Sequence, residues 1–245
     1  MNNDMEAAME DWQEVVLLTF IAGASMPVGA SLAKVEHIRT AWLENELQHF
    51  IIAFGGGALL SAVALVLIPD GIEHLSTLQV SVWFVLGALV FMFIDILLAK
   101  IGTAASQLVA MLTDFIPEAL ALGAAIAIGS DTALVLALIM ALQNLPEGFN
   151  SFTEMRQSGK VSAGFILKWL CVLTLLGPIF GIVGFYWLAD MPVVVASIMV
   201  FASGGILYII FGDIAPQSKL VNHWAPPLGA VLGFLLGTMG HMLLS

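Results

Sequence analysis

Basic residues are scarce in this chain. Seven Lys and Arg stand against eighteen Asp and Glu, for a net charge of −11, and charged residues of either sign make up only 10% of the sequence. A chain this acidic is not built to neutralise phosphate backbones, and cations are its natural partners. Cysteine is nearly absent. Cys171 alone excludes an intrachain disulfide and a cysteine-built zinc site, and its apolar neighbours give it the character of a small hydrophobe. The first 14 residues hold five acids (Asp4, Glu6, Glu10, Asp11, Glu14) and no Lys or Arg, the reverse of a basic leader segment, so no signal peptide is expected. No HExxH motif marks a zinc protease, and no mid-span Lys or Arg marks a phosphate-handling enzyme, so no enzyme is expected.

What the chain has in abundance is apolar length. It is 60% hydrophobic with a mean hydropathy of +1.01, more apolar surface than a soluble domain of 245 residues can hide. Runs long enough to cross a roughly 30 Å hydrocarbon core recur throughout. The expected fold is all-α, a polytopic membrane protein with eight spans at 14–34, 49–69, 79–99, 104–129, 131–152, 162–188, 192–213 and 225–244. Residues 1–13 form an acidic extracytoplasmic N-terminus, and 14–245 a single transmembrane domain. The longest connection, 35–48, is polar, amphipathic and expected to be helical. Lys34, Arg39, Lys100, Arg156, Lys160, Lys168 and Lys219 all fall at one side, opposite the N-terminal acids, Asp70, Glu73, Asp131 and Asp190. The excess of basic residues marks the cytoplasmic side, so both termini are expected to face outward in a cell membrane, a bacterial inner membrane being the expected setting.

The chain also resembles itself. FGGGALLSAVALVLIPD (Phe54 to Asp70) aligns without a gap to FASGGILYIIFGDIAPQ (Phe201 to Gln217), matching Phe54 with Phe201, Gly57 with Gly204, Leu60 with Leu207 and Pro69 with Pro216. The two spans are expected to run in opposite directions, which makes an inverted repeat, a hallmark of secondary transporters.

Polar chemistry is concentrated in spans 4 and 5. DFIPEALALG (Asp114 to Gly123) and QNLPEGFNSF (Gln143 to Phe152) each place a polar residue before a proline and a glutamate just after it. On a helix Asp114 shares a face with Glu118, and Gln143 and Asn144 share one with Glu147. Pro117 and Pro146 remove amide donors, so the carbonyls of Thr113 and Leu142 are freed and both helices are expected to kink. Ionised carboxylates in mid-membrane cost several kcal/mol unless they meet a partner. Mid-span Lys and Arg are lacking, so the partner is expected from solution, as a metal ion or as protons. Asn150 and Asp213 are candidates for the same pathway. Asp95 reads as interfacial, and His37, His49, His74, His223 and His241 as surface or interfacial residues.

These paired motifs resemble the ZIP (Zrt/Irt-like) family of divalent-metal transporters, whose fourth helix reads H-N-x-P-E-G and fifth H/Q-N/D-x-P-E-G. QNLPEG at Gln143 to Gly148 matches fully, and the likeness in span pattern covers nearly the whole chain. The resemblance implies a 3+2+3 helix arrangement, a homodimer, and inward transport of zinc, iron(II), manganese or cadmium by alternating access, with no catalytic cofactor. It also implies a metal held by Asp114, Glu118, Gln143, Asn144 and Glu147. Span 4 departs from the pattern, with Asp114 for His, Phe115 for Asn and Ala119 for Gly; span 6 has Gly177 before Pro178 where the family often has Glu. One metal is therefore expected rather than two, held by oxygen ligands that suit harder ions while still admitting zinc. The alternative is a proton-coupled carrier of a small organic substrate, with the carboxylates as a proton relay.

Overall fold

The computed structural model describes residues 2–36, 41–101, 104–129, 132–157, 159, 161–219 and 224–244, and among them it contains helices and no strands. A chain surrounded by lipid must satisfy its backbone polar groups internally, and helices do so within each segment. Eight helical columns result. They are α1 (Asn2–Glu36), α2 (Ala41–Ala62, continued by Val63–Leu67 and Ile68–Glu73), α3 (Thr77–Ile101) and α4 (Ala104–Ala127). Then follow α5 (Ala133–Gln157), α6 (Ala163–Thr174, Leu176–Val183 and Gly184–Leu188), α7 (Pro192–Ile209, Ile210–Ile214 and Ala215–Gln217) and α8 (Ala225–Leu244). Seven columns carry stretches long and apolar enough to cross a membrane, and α4, with 24 residues, has the length to do so as well. The chain is a multi-pass membrane protein.

The columns differ from the sequence reading at their ends. The acidic N-terminal segment is helical and continuous with α1. The helical expectation for 35–48 holds from Ala41 onward, whereas 37–40, with His37 and Arg39, lie outside the described residues, as do Asp131, Lys160 and His223. Spans 2 and 7, read as 49–69 and 192–213, continue as helix to Glu73 and Gln217. The reason is local. A proline ring clashes with the carbonyl four residues earlier. For Pro69 and Pro216 those carbonyls belong to Leu65 and Gly212, and both lie in π-helical turns, Val63–Leu67 and Ile210–Ile214. The wider turn gives the ring room. The two π-turns share one register in the aligned sequences, Val63 opposite Ile210 and Leu67 opposite Ile214.

Packing follows the glycines. α2 packs chiefly on α8, α7 on α3, α1 on α5 and α4 on α6. A Cβ on Gly57 would stand 2.0 Å from the carbonyl oxygen of Ala230, and one on its aligned partner Gly204 2.0 Å from that of Phe84. Both contacts demand a residue with no side chain. Burial separates the centre from the rim: 67% of the apolar window of α2 and 61% of that of α5 are buried, against 11% for α3. Leu78, Val82, Val85, Leu89 and Phe93 of α3 are exposed, as a lipid-facing helix requires.

Candidate cation site

α4 and α5 remain α-helical through Pro117 and Pro146, and this continuity keeps the i, i+4 spacing that aligns their polar residues. Glu118 is fully buried. The side-chain amide of Gln143, equally buried, donates to both its oxygens, at 2.8 Å to Oε1 and 2.7 Å to Oε2. Asp114 is buried too, and its carboxyl lies within hydrogen-bonding reach of that of Glu147. Glu118 is near enough to Asp114 and Glu147 for the three charges to act on one another. Among the described residues no lysine or arginine takes part in these interactions.

The remaining valences are all acceptors. Asp114 Oδ1, Gln143 Oε1, Asn144 Oδ1, Glu147 Oε2 and Asn150 Oδ1 are buried and receive no hydrogen bond. A buried oxygen without a donor is costly, and such atoms in a native fold call for an explanation. Five of them along two adjacent helices describe an electronegative lining that a cation would neutralise.

The sequence candidates do not all converge. Gln143 pairs with Glu118, and Asp114 with Glu147. Asn144 turns partly aside, its Nδ2 donating to the carbonyl of Ala22 on α1 at 2.9 Å. The diversion arises because α1 and α5 touch backbone to backbone: a Cβ on Gly148 would stand 2.0 Å from Met26 O, and one on Gly29 1.9 Å from Leu145 O. Asn150 donates to Glu154 at 2.8 Å and to Gln217 at 3.2 Å. Among the described residues no group of three or more His, Cys, Asp or Glu is set out as a ready metal cage. A cation held here must therefore draw on amide oxygens as well as carboxylates.

A cavity of about 110 Å³ opens beside the carboxylates, lined by Asp114, Glu147, Asn150, Asp213, Asp95 and Tyr208. Its walls come from the C-terminal halves of α3, α5 and α7 and the N-terminal part of α4. In antiparallel columns these lie at one end of the bundle, the end that carries Lys100 and Arg156. A second cavity of about 280 Å³ lies at the opposite end, lined by Asp70, Glu73, His74 and Thr132 among others, and shares no residue with the first.

Asp95, read from sequence as interfacial, lines the first cavity, where the Tyr208 hydroxyl donates to its Oδ2 at 3.0 Å. Gln217, which hydrogen-bonds both Asn150 and Asp213, was not foreseen. The internal repeat held a signal for it, since Gln217 aligns with Asp70, which accepts a hydrogen bond from Thr132 at 2.9 Å. Both aligned residues thus meet polar side chains in the α4–α5 region. The chain matches no protein-family model, and a comparison with curated proteins gives no match.

Proposed function

We propose that this protein is a transporter of divalent metal cations of the ZIP type, importing zinc, iron(II), manganese or a similar ion through a mid-membrane site. The observation that carries the reading is the set of five buried oxygens on α4 and α5 that, among the described residues, meet neither a hydrogen-bond donor nor a lysine or arginine. Asp114, Glu118, Gln143 and Glu147 serve as ligands, Asn144 contributes its free carbonyl oxygen, and Asn150 and Asp213 line the way out. An all-oxygen set favours hard divalent ions and accepts zinc.

Alternating access is the mechanism that suits this architecture. The matched π-turns, the glycine contacts of α2 on α8 and of α7 on α3, and the pairing of α1 with α5 and of α4 with α6 support an inverted repeat within a 3+2+3 arrangement. With both termini outside, the cavity beside Asp114 and Glu147 faces the cytoplasm and the Asp70 cavity faces outward, so the fold represents an inward-facing state. Asp70, Glu73 and the N-terminal acids raise the local concentration of cations at the entrance. No nucleotide is needed, since concentration gradient and membrane potential supply the driving force. The homodimer rests on the family likeness alone.

The test is uptake of zinc, iron(II), manganese and cadmium into proteoliposomes by wild type, Glu147→Ala and Asp114→His. Uptake lost in the first variant and shifted toward zinc in the second supports the reading. A folded wild type that carries none of the four metals overturns it and favours the proton-relay alternative, in which the neighbouring Asp114 and Glu147 carboxyls share a proton.

A further inference from the structure

The residue next to Asp114 on α4 is apolar and bulky. Phe115 follows Asp114 on α4 and is 1% exposed. Its ring reaches α1 and α6 at two glycines: a Cβ on Gly23 would stand 3.0 Å from the ring Cζ, and one on Gly177 2.9 Å from it. Two helices thus leave out a side chain where the ring sits. Backbone forms the rest of the slot, since those same Cβ positions lie 3.1 Å from Thr174 O and 2.6 Å from Thr19 O.

The hydroxyls on this flank are engaged within the backbone. Thr174 Oγ1 donates to Gly23 O at 3.1 Å and to Leu170 O at 3.0 Å, and Thr19 Oγ1 to Val15 O at 2.6 Å. Asn144 reaches the same flank through Ala22, the neighbour of Gly23, and its Oδ1 is buried without a donor. An acceptor oxygen therefore stands beside a region that the ring helps to fill.

We propose that Phe115 is a specificity-determining residue: seated in the Gly23–Gly177 slot, it keeps water and a second ion off the α1–α6 flank, so that a bound cation is served from α4 and α5 alone. The proposal rests on the cation-binding reading above. Its consequence is a limit on coordination number. Zinc is content with four ligands, whereas manganese favours six oxygens and suffers more from a flank closed to water. Removing the ring would open space for water or a second ion next to Asn144 Oδ1.

The experiment is equilibrium dialysis of purified wild type, Phe115→Leu and Phe115→Ala against zinc and, separately, manganese, with bound metal counted by mass spectrometry and folding checked by gel filtration. Wild type and F115L are expected to bind one ion with the same zinc-to-manganese preference. F115A is expected to bind a second ion, or to shift its zinc-to-manganese preference toward manganese by about tenfold, a change of ~1.4 kcal/mol. Should F115A fail to fold, Phe115→Val carries the same expectation, since it removes the ring and adds no ligand. A folded variant that keeps both stoichiometry and preference overturns this proposal alone. A wild type that binds neither metal overturns the transport reading and this proposal together.

Discussion

Replacing Gln143 by leucine isolates the role of one amide. In the native fold its Nε2 serves both oxygens of a fully buried glutamate, at 2.8 and 2.7 Å, while its own Oε1 waits without a donor. Leucine is similar in bulk, so packing against neighbouring helices is largely kept, but buried Glu118 loses the amide that donates to both its oxygens. Hydrogen bonds to a charged group contribute about 1.5–3 kcal/mol net, and orphaning the buried partner has a cost of similar size. The two bonds share one amide and one carboxyl, so they are not summed. The expected result for Gln143→Leu is a loss of about 1.5–3 kcal/mol in stability without metal, read by thermal unfolding in detergent. Metal affinity should fall by about 10–100-fold, read by titration calorimetry, because a ligand oxygen and the orientation of Glu118 vanish together. Gln143→Glu restores an oxygen but adds a like charge beside Glu118, so it should not regain native stability. Unaltered unfolding and affinity in a folded Gln143→Leu would refute the assignment of Gln143 to the site.

Other substitutions probe the frame and the exit. Gly148→Ala forces a methyl to within 2.0 Å of Met26 O, so α1 and α5 must part; a loss of at least about 1–3 kcal/mol is expected in thermal unfolding, with uptake reduced. Asp213→Asn should leave equilibrium metal affinity near native while slowing uptake, since Asp213 lines the cavity and does not join the four converging residues. Tyr208→Phe removes an exposed hydrogen bond to Asp95, and its unfolding temperature should stay within the change produced by about 1 kcal/mol.

Much of the architecture was legible because lipid imposes it: a span must be helical, and its length is set by the bilayer. That Asp114 shares a face with Glu118, and Gln143 with Glu147, was legible for a similar reason, as i, i+4 spacing puts side chains on one helical face wherever the helix lies; the pairing of Gln143 with Glu118 across two helices was not. The helices α2 and α7 run past the spans read as 49–69 and 192–213, to Glu73 and Gln217, because apolar length marks the part that lipid covers and not where the helix ends. The place of Asp95 depends on how α3 meets α7, through Gly204 against Phe84, which no local pattern reveals. Asn144 looked like one more ligand in QNLPEG, yet the close crossing of α1 and α5 gives its amide a backbone partner in Ala22. The slot that holds the Phe115 ring was not legible either, since it is made by Gly23 and Gly177, distant in sequence.

The central claim is that the buried oxygens of α4 and α5 hold a divalent ion. It is tested most directly by collecting anomalous diffraction from crystals of the protein soaked in cadmium, with Glu147→Ala as the control. The account predicts one mid-membrane peak within bonding distance of oxygens from Asp114, Glu118, Gln143 and Glu147, and its loss in the variant. Cadmium only at the surface, or a mid-membrane peak that persists unchanged without Glu147, would contradict it.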